Sequence, residues 1–143
     1  ETLRILDGIV DIYLPDIKYM DDTIAKELSG FTHYTMHNQA SLKEMFRQVG
    51  NLTTSDGIAR RGIIVRHLIL PDNLSGTCEA LTFLANELSP DVYISLMDQY
   101  FPAYKAQFYP KLSRKITLEE YDVARDNLDC CGLHNGWIQE HIA

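Results

Sequence analysis

Asp16 and Lys18 stand two residues apart in Pro15-Asp16-Ile17-Lys18, directly after an apolar run. In extended chain, residues i and i+2 project to one side. The carboxylate and the ammonium then share one space. Such a couple can hold the two ends of a zwitterion, for instance an amino-acid moiety, or it can close on itself as a plain ion pair. Arg66 lies inside a second apolar run. A guanidinium there is costly unless paired. Its fork of donors suits a ligand carboxylate; the other reading is an internal pair with Asp11. His67 reads as a hydrogen-bonded core residue. Asp98, Gln99 and Tyr100 follow a third apolar run, where polar and aromatic groups alternate up to Tyr104. They read either as a pocket wall or as a packed loop with satisfied hydroxyls.

Three elements must carry these groups. Residues 9–14, 63–70 and 92–97 are apolar runs rich in β-branched and aromatic side chains, and they read as strands. Runs this continuous fit a parallel sheet covered on both faces. Helical patterns lie between them. Ser41-Leu42-Lys43-Glu44 is a capping-box pattern ahead of Met45, Phe46 and Val49, with Gly50 closing the segment. Leu81, Leu84, Ala85 and Leu88 form a second stripe, with Ser75 as its expected N-cap. Thr117-Leu118-Glu119-Glu120 opens a third helix that ends at Gly132. A short helix over 22–28 stops at Gly30, turns are expected at 51–57 and 72–76, and a last short strand near Trp137-Ile138. The alternation predicts an α/β protein, a parallel sheet of about three to four strands with right-handed crossovers. It is a small open sheet or part of a (β/α) barrel, because a closed barrel needs about eight strands. In both architectures ligands bind at the carboxyl ends of the strands. Asp16, Lys18, Arg66 and the 98–100 segment converge there.

Composition bounds the rest. The chain has 143 residues, 13 Lys+Arg against 20 Asp+Glu, a net charge of −7 and 45% hydrophobic residues. That is enough apolar matter for a core and excludes a disordered tail. A pI near 5.1 offers no basic nucleic-acid footprint. The longest apolar run is interrupted by Arg66 and His67 and is too short to span a bilayer. No secretory leader is visible at the start, and the first residue, Glu1, suggests a piece of a longer chain. Cys78, Cys130 and Cys131 are an odd set with no zinc or iron–sulfur spacing, which points to reduced thiols and a cytoplasmic setting. His33 and His37 have i,i+4 spacing but no further ligands nearby. The triplets beginning at Asn51 and Asn73 match the glycosylation pattern by chance.

Five strings, D-I-Y-L-P-D-I-K-Y (11–19), M-F-R-Q-V-G (45–50), G-I-I-V-R-H-L-I-L-P (62–71), L-S-P-D-V-Y-I-S-L-M-D-Q-Y (88–100) and Y-P-K-L-S-R-K-I-T-L-E-E-Y (109–121), occur in this order. Together they resemble the radical S-adenosylmethionine (SAM) proteins related to pyruvate formate-lyase activating enzyme, and most closely an uncharacterised branch of iron–sulfur proteins. The resemblance covers the C-terminal half of that family. It implies that the whole chain is one unit, the later strands of a partial (β/α) barrel. The C-x-x-x-C-x-x-C motif of the family lies upstream, and the three cysteines here do not replace it. The parent would bind a [4Fe–4S] cluster and SAM, and would cleave SAM reductively to a 5′-deoxyadenosyl radical that abstracts hydrogen from its substrate. That substrate would be a glycyl-radical-type protein or a small molecule. By the same resemblance, Asp16 and Lys18 sit at the amino-acid end of SAM, Asp16 through a monovalent cation, and Arg66 faces SAM. The activase has a histidine where this chain has Phe101, which puts identical substrate chemistry in doubt.

Two other classes compete. One is a lyase or aldolase-type barrel with a Schiff base on Lys18, although the neighbouring Asp16 opposes the lowered pKa this needs. The other is a non-catalytic binding module on the same fold. An open half-barrel also exposes a sheet edge and an apolar inner face, so the chain made alone is expected to self-associate.

Overall fold

The computed structural model describes residues 2–139. The sheet is mostly parallel and runs β1 (Ile12–Tyr13), β3 (Ile58–Leu68), β4 (Tyr93–Met97), β5 (Gly136–Ile138). β1, β4 and β5 all run parallel to their neighbours. The short β2 (Thr53–Ser55) pairs antiparallel with the start of β3. The helices are α1 (Thr2–Ile5), α2 (Asp22–Ser29), α3 (Tyr34–Val49), α4 (Thr77–Phe83) and α5 (Leu118–Cys130).

Strand alternation divides the sheet into two faces. Tyr13, Ile63, Val65, Ile94 and Leu96 point one way and join Leu42, Val49, Ala80, Leu81, Leu84, Tyr121, Ala124 and Leu128 of the helices in the main core. Leu81 and Leu84 have no exposed surface, and each such burial contributes about 1.5–3 kcal/mol. The opposite face carries Ile64, Arg66, Leu68, Tyr93, Ser95, Met97 and Trp137 by register. No helix shares a core cluster with most of that face. Trp137 is 54% exposed and its ring lies tilted against Tyr93. The main helix layer therefore lies on one face, and on the other Leu68 joins a smaller cluster with Ile24, Ala25 and Leu28 of α2 and Tyr34 of α3.

Four other expectations change. The first strand shrinks to two ladder residues, because Ile9 and Asp11 lie exposed ahead of it. α3 begins at Tyr34, seven residues before the Ser41 pattern, so Ser41 is a mid-helix residue. Ser75 does not cap α4. It is buried, and Gly76 takes the N-cap in the left-handed conformation. The segment 51–57 contains a strand as well as a turn. Asp56 and Gly57, both at positive φ (54° and 74°), form the two-residue hairpin between β2 and β3.

Other expectations hold. Gly30 and Gly50 close α2 and α3. Thr117 and Glu120 form the capping box of α5. β4 and β5 lie at the expected runs. Glycine is demanded where backbones cross. A Cβ on Gly136 (φ 136°) would stand 1.9 Å from Ile94 O.

Candidate functional site

The chain continues past β1 in extended form. Arg66 N donates to Pro15 O at 2.9 Å and Ile17 N donates to Arg66 O at 3.0 Å. This isolated bridge sets Asp16 opposite Arg66 on the face away from the main core. Arg66 Nε donates to Asp16 Oδ1 at 2.7 Å. Lys18, on the same side two residues on, brings Nζ to 3.7 Å from Asp16 Oδ2. Arg66 therefore pairs with Asp16 and not with Asp11. The shared side of Asp16 and Lys18 follows the i,i+2 expectation.

Two cations share one carboxylate here, an excess of one positive charge. The Nη atoms of Arg66 make no hydrogen bond among the described residues, and the Lys18 ammonium stands beyond hydrogen-bond distance from Asp16. All three side chains are only partly covered, at 42%, 28% and 57% exposure for Arg66, Asp16 and Lys18. They line an open cleft of about 370 Å³ with Tyr34, Asn38 and Phe31. Cationic donors left unspent in a cleft have the chemistry to take a carboxylate or a phosphate. Phe31, 65% exposed, and Leu14, 52% exposed, give the cleft an apolar lip.

Behind Ile17 lies His67, with no exposed surface. Ile17 O can only accept, so the proton sits on Nδ1, which donates to it at 2.8 Å. Nε2 then accepts from Thr77 Oγ1 at 3.0 Å. Ser75 Oγ lies 3.2 Å from Thr77 Oγ1 and accepts from Leu70 N. Every member of the chain is satisfied with a neutral imidazole. Burial pushes the His67 pKa down to about 4, against a smaller opposing effect of the Ile17 carbonyl. His67 is the core residue its sequence context suggests, and it fixes Ile17 between Asp16 and Lys18.

Asp98, Gln99 and Tyr100 lie outside the lining of this cleft. Tyr100 donates to Leu112 O at 2.8 Å and packs against the small cluster of Tyr19, Ala25 and Leu70. Gln99 Nε2 faces Met97 Sδ at 3.6 Å. Phe101 is 64% exposed. The structure thus brings together Asp16, Lys18 and Arg66 and leaves the 98–100 segment beside them. Tyr34 and Asn38 were missed. Their i,i+4 spacing is a usable signal, but it is hidden by the more conspicuous His33 and His37 one residue out of phase. His33 caps α3 and both histidines are exposed.

The donor set does not suit an iron–sulfur cluster. Cys78 sits near the start of α4, while Cys130 and Cys131 sit at the end of α5, with Cys131 Sγ 3.6 Å from Thr82 Oγ1. Among the described residues no group of three or more His, Cys, Asp or Glu could hold a metal ion. No helix among them is long and apolar enough to cross a membrane.

No family model matches the chain, and no solved structure does. It is 28% identical over 127 residues to an uncharacterized protein of Methanocaldococcus jannaschii, covering 87% of this chain. The chain spans about a third (33%) of that protein's length.

Proposed function

We propose that this chain is the later part of a radical SAM barrel and that the Asp16–Lys18–Arg66 cleft takes the amino-acid end of SAM. The observation that carries the reading is the cluster itself. Two cations with unspent donors converge on one carboxylate at the carboxyl ends of two parallel strands. The five-string resemblance supports it. So does a main core packed against one face of the sheet, which suits a barrel wall whose other face turns inward. The greater length of the archaeal relative leaves room for a cluster-binding half.

In this reading Arg66 and Lys18 hold the ligand carboxylate, and Asp16 keeps both cations aimed. A reduced [4Fe–4S] cluster held elsewhere in the full-length protein would supply reductive cleavage of SAM, and with it hydrogen abstraction from a protein or small-molecule substrate. The setting is cytoplasmic, which three unpaired thiols suit. The Schiff-base alternative has less support. Lys18 is more than half exposed beside a carboxylate, the reverse of the desolvated setting an imine-forming lysine needs.

The test uses the full-length protein, reconstituted anaerobically and given SAM and a strong reductant. Iron-dependent 5′-deoxyadenosine is expected. A protein that binds no iron overturns the reading and returns the lysine-centred and binding-module classes. Borohydride trapping of Lys18 then separates those two.

A further inference from the structure

The Asp16–Lys18 segment is held from both sides, and only one side is a strand. Its odd-numbered residues, Pro15 and Ile17, bond to Arg66 of β3. The even-numbered residues turn their backbone groups the other way. That is the sheet's outer edge, since β1 ends the strand order. Unpaired edge groups there need partners. Asn38 Nδ2 donates to Asp16 O at 2.9 Å. Lys18 N donates to Tyr34 Oη at 2.9 Å. Tyr34 and Asn38 are one turn apart on α3, so one helix face does the work of a neighbouring strand.

Neither side chain is explained by packing alone. Asn38 Oδ1 is buried and has no hydrogen-bond partner among the described residues. An apolar residue would avoid that cost. The Asn38 amide orientation follows from Asp16 O, which can only accept. The Tyr34 ring stands edge-on to Tyr19, with centroids 5.4 Å apart at 75°. Burial raises the Tyr34 pKa, against the Lys18 N–H that favours the phenolate. The hydroxyl keeps its proton at neutral pH, and that proton is not used toward Lys18.

We propose that Tyr34 and Asn38 are positioning residues that lock the Asp16–Lys18 backbone, and that Tyr34 adds its O–H to Lys18 and Arg66 as a third donor to a ligand carboxylate. The proposal rests on reading the cleft as the amino-acid end of SAM. It goes further by assigning two more residues, Tyr34 and Asn38, to the site that holds the ligand carboxylate. Without the clamp, the Lys18 side chain loses its fixed origin and its aim at Arg66.

The test pairs two measurements on the full-length protein, in wild type, Tyr34→Phe and Asn38→Asp. The first is amide hydrogen exchange at Lys18. The second is affinity for SAM and for decarboxylated SAM. Tyr34→Phe should speed exchange at Lys18 about tenfold and weaken SAM about tenfold, with decarboxylated SAM held within about twofold. Asn38→Asp keeps the shape, removes the donor and should act in the same direction. Unchanged exchange in both variants overturns the clamp. Equal losses for both ligands overturn the positioning role and leave a structural one. A wild type that binds neither ligand overturns the assignment of the cleft, while the exchange data report on the clamp separately.

Discussion

Two ion clusters stand near the carboxyl ends of the strands, and they are built on opposite charge ratios. Around Asp16, two cations share one carboxylate. Around Arg114, one cation is shared by two carboxylates. Arg114 meets Glu120 through both Nη atoms at 2.7 and 2.8 Å and reaches Asp72 at 2.8 Å. Glu120 also accepts from Asp72 N and Thr117 N, each at 2.8 Å. The second cluster is closed by backbone donors and the α5 capping box, and its groups have spent their hydrogen bonds on the chain itself. The first keeps donors free and lines a cleft. An ion pair alone is weak evidence of function. The difference between a saturated cluster and an unsaturated one is what the proposed binding role of the first rests on.

The comparison breaks first at its arginines. In the full-length protein, Arg66→Met should lower kcat/KM for SAM cleavage roughly 100-fold, about 3 kcal/mol. Arg114→Met should leave that ratio nearly unchanged and lower the melting temperature. Steady-state kinetics beside thermal melts decide it.

Acid sharpens the contrast nearly as strongly. The His67 pKa falls from 6.5 to about 4 on burial. Its stabilisation is complete above pH 6.5 and is lost as pH falls through 4, about 3 kcal/mol in all. The Glu120 pKa, held down to about 2 chiefly by Arg114, extends the loss below 4.5. Chemical denaturation at stepped pH should show the first loss between 6.5 and 4. His67→Gln should flatten that window if the mutant folds, and leave the lower one. A wild-type stability that stays flat from pH 6.5 to 4 contradicts the assignment.

Thr117→Ala removes the cap from the closed cluster and should cost about 1 kcal/mol, read as a shift in denaturation midpoint with SAM affinity unchanged. The smallest effect is association. The 143-residue chain made alone exposes Trp137, so light scattering should show species larger than a monomer at high concentration. A monodisperse monomer counts against the open inner face.

Much of this was legible in the sequence, for local reasons. Thr117 to Glu120 announces a helix because a capping box is self-contained within four residues. Asp16 and Lys18 share a side because strand geometry alone requires it. What failed depends on partners far along the chain. Ser41-Leu42-Lys43-Glu44 imitates a helix start, but α3 is already under way from Tyr34, where His33 takes a left-handed turn and makes no cap bond, and the distant Asp22 accepts from Thr35 N at 2.8 Å instead. The β2–β3 hairpin escaped notice because Thr53, Thr54 and Ser55 carry no apolar alternation, even though Asp56-Gly57 is a strong turn signal. For Arg66 the sequence leaves a ligand carboxylate and an internal pair with Asp11 both open on general grounds of burial. Only the register, with Asp16 opposite Arg66, selects the other aspartate. Tyr34 and Asn38 act on backbone atoms, and no side-chain motif advertises that.

The most direct test measures 5′-deoxyadenosine from wild type, Arg66→Met and Arg114→Met, reconstituted and reduced side by side as full-length proteins. The account predicts iron-dependent product from wild type, nearly as much from Arg114→Met, and little from Arg66→Met. Equal yields from wild type and Arg66→Met, or no product from a wild type that binds no iron, would contradict it.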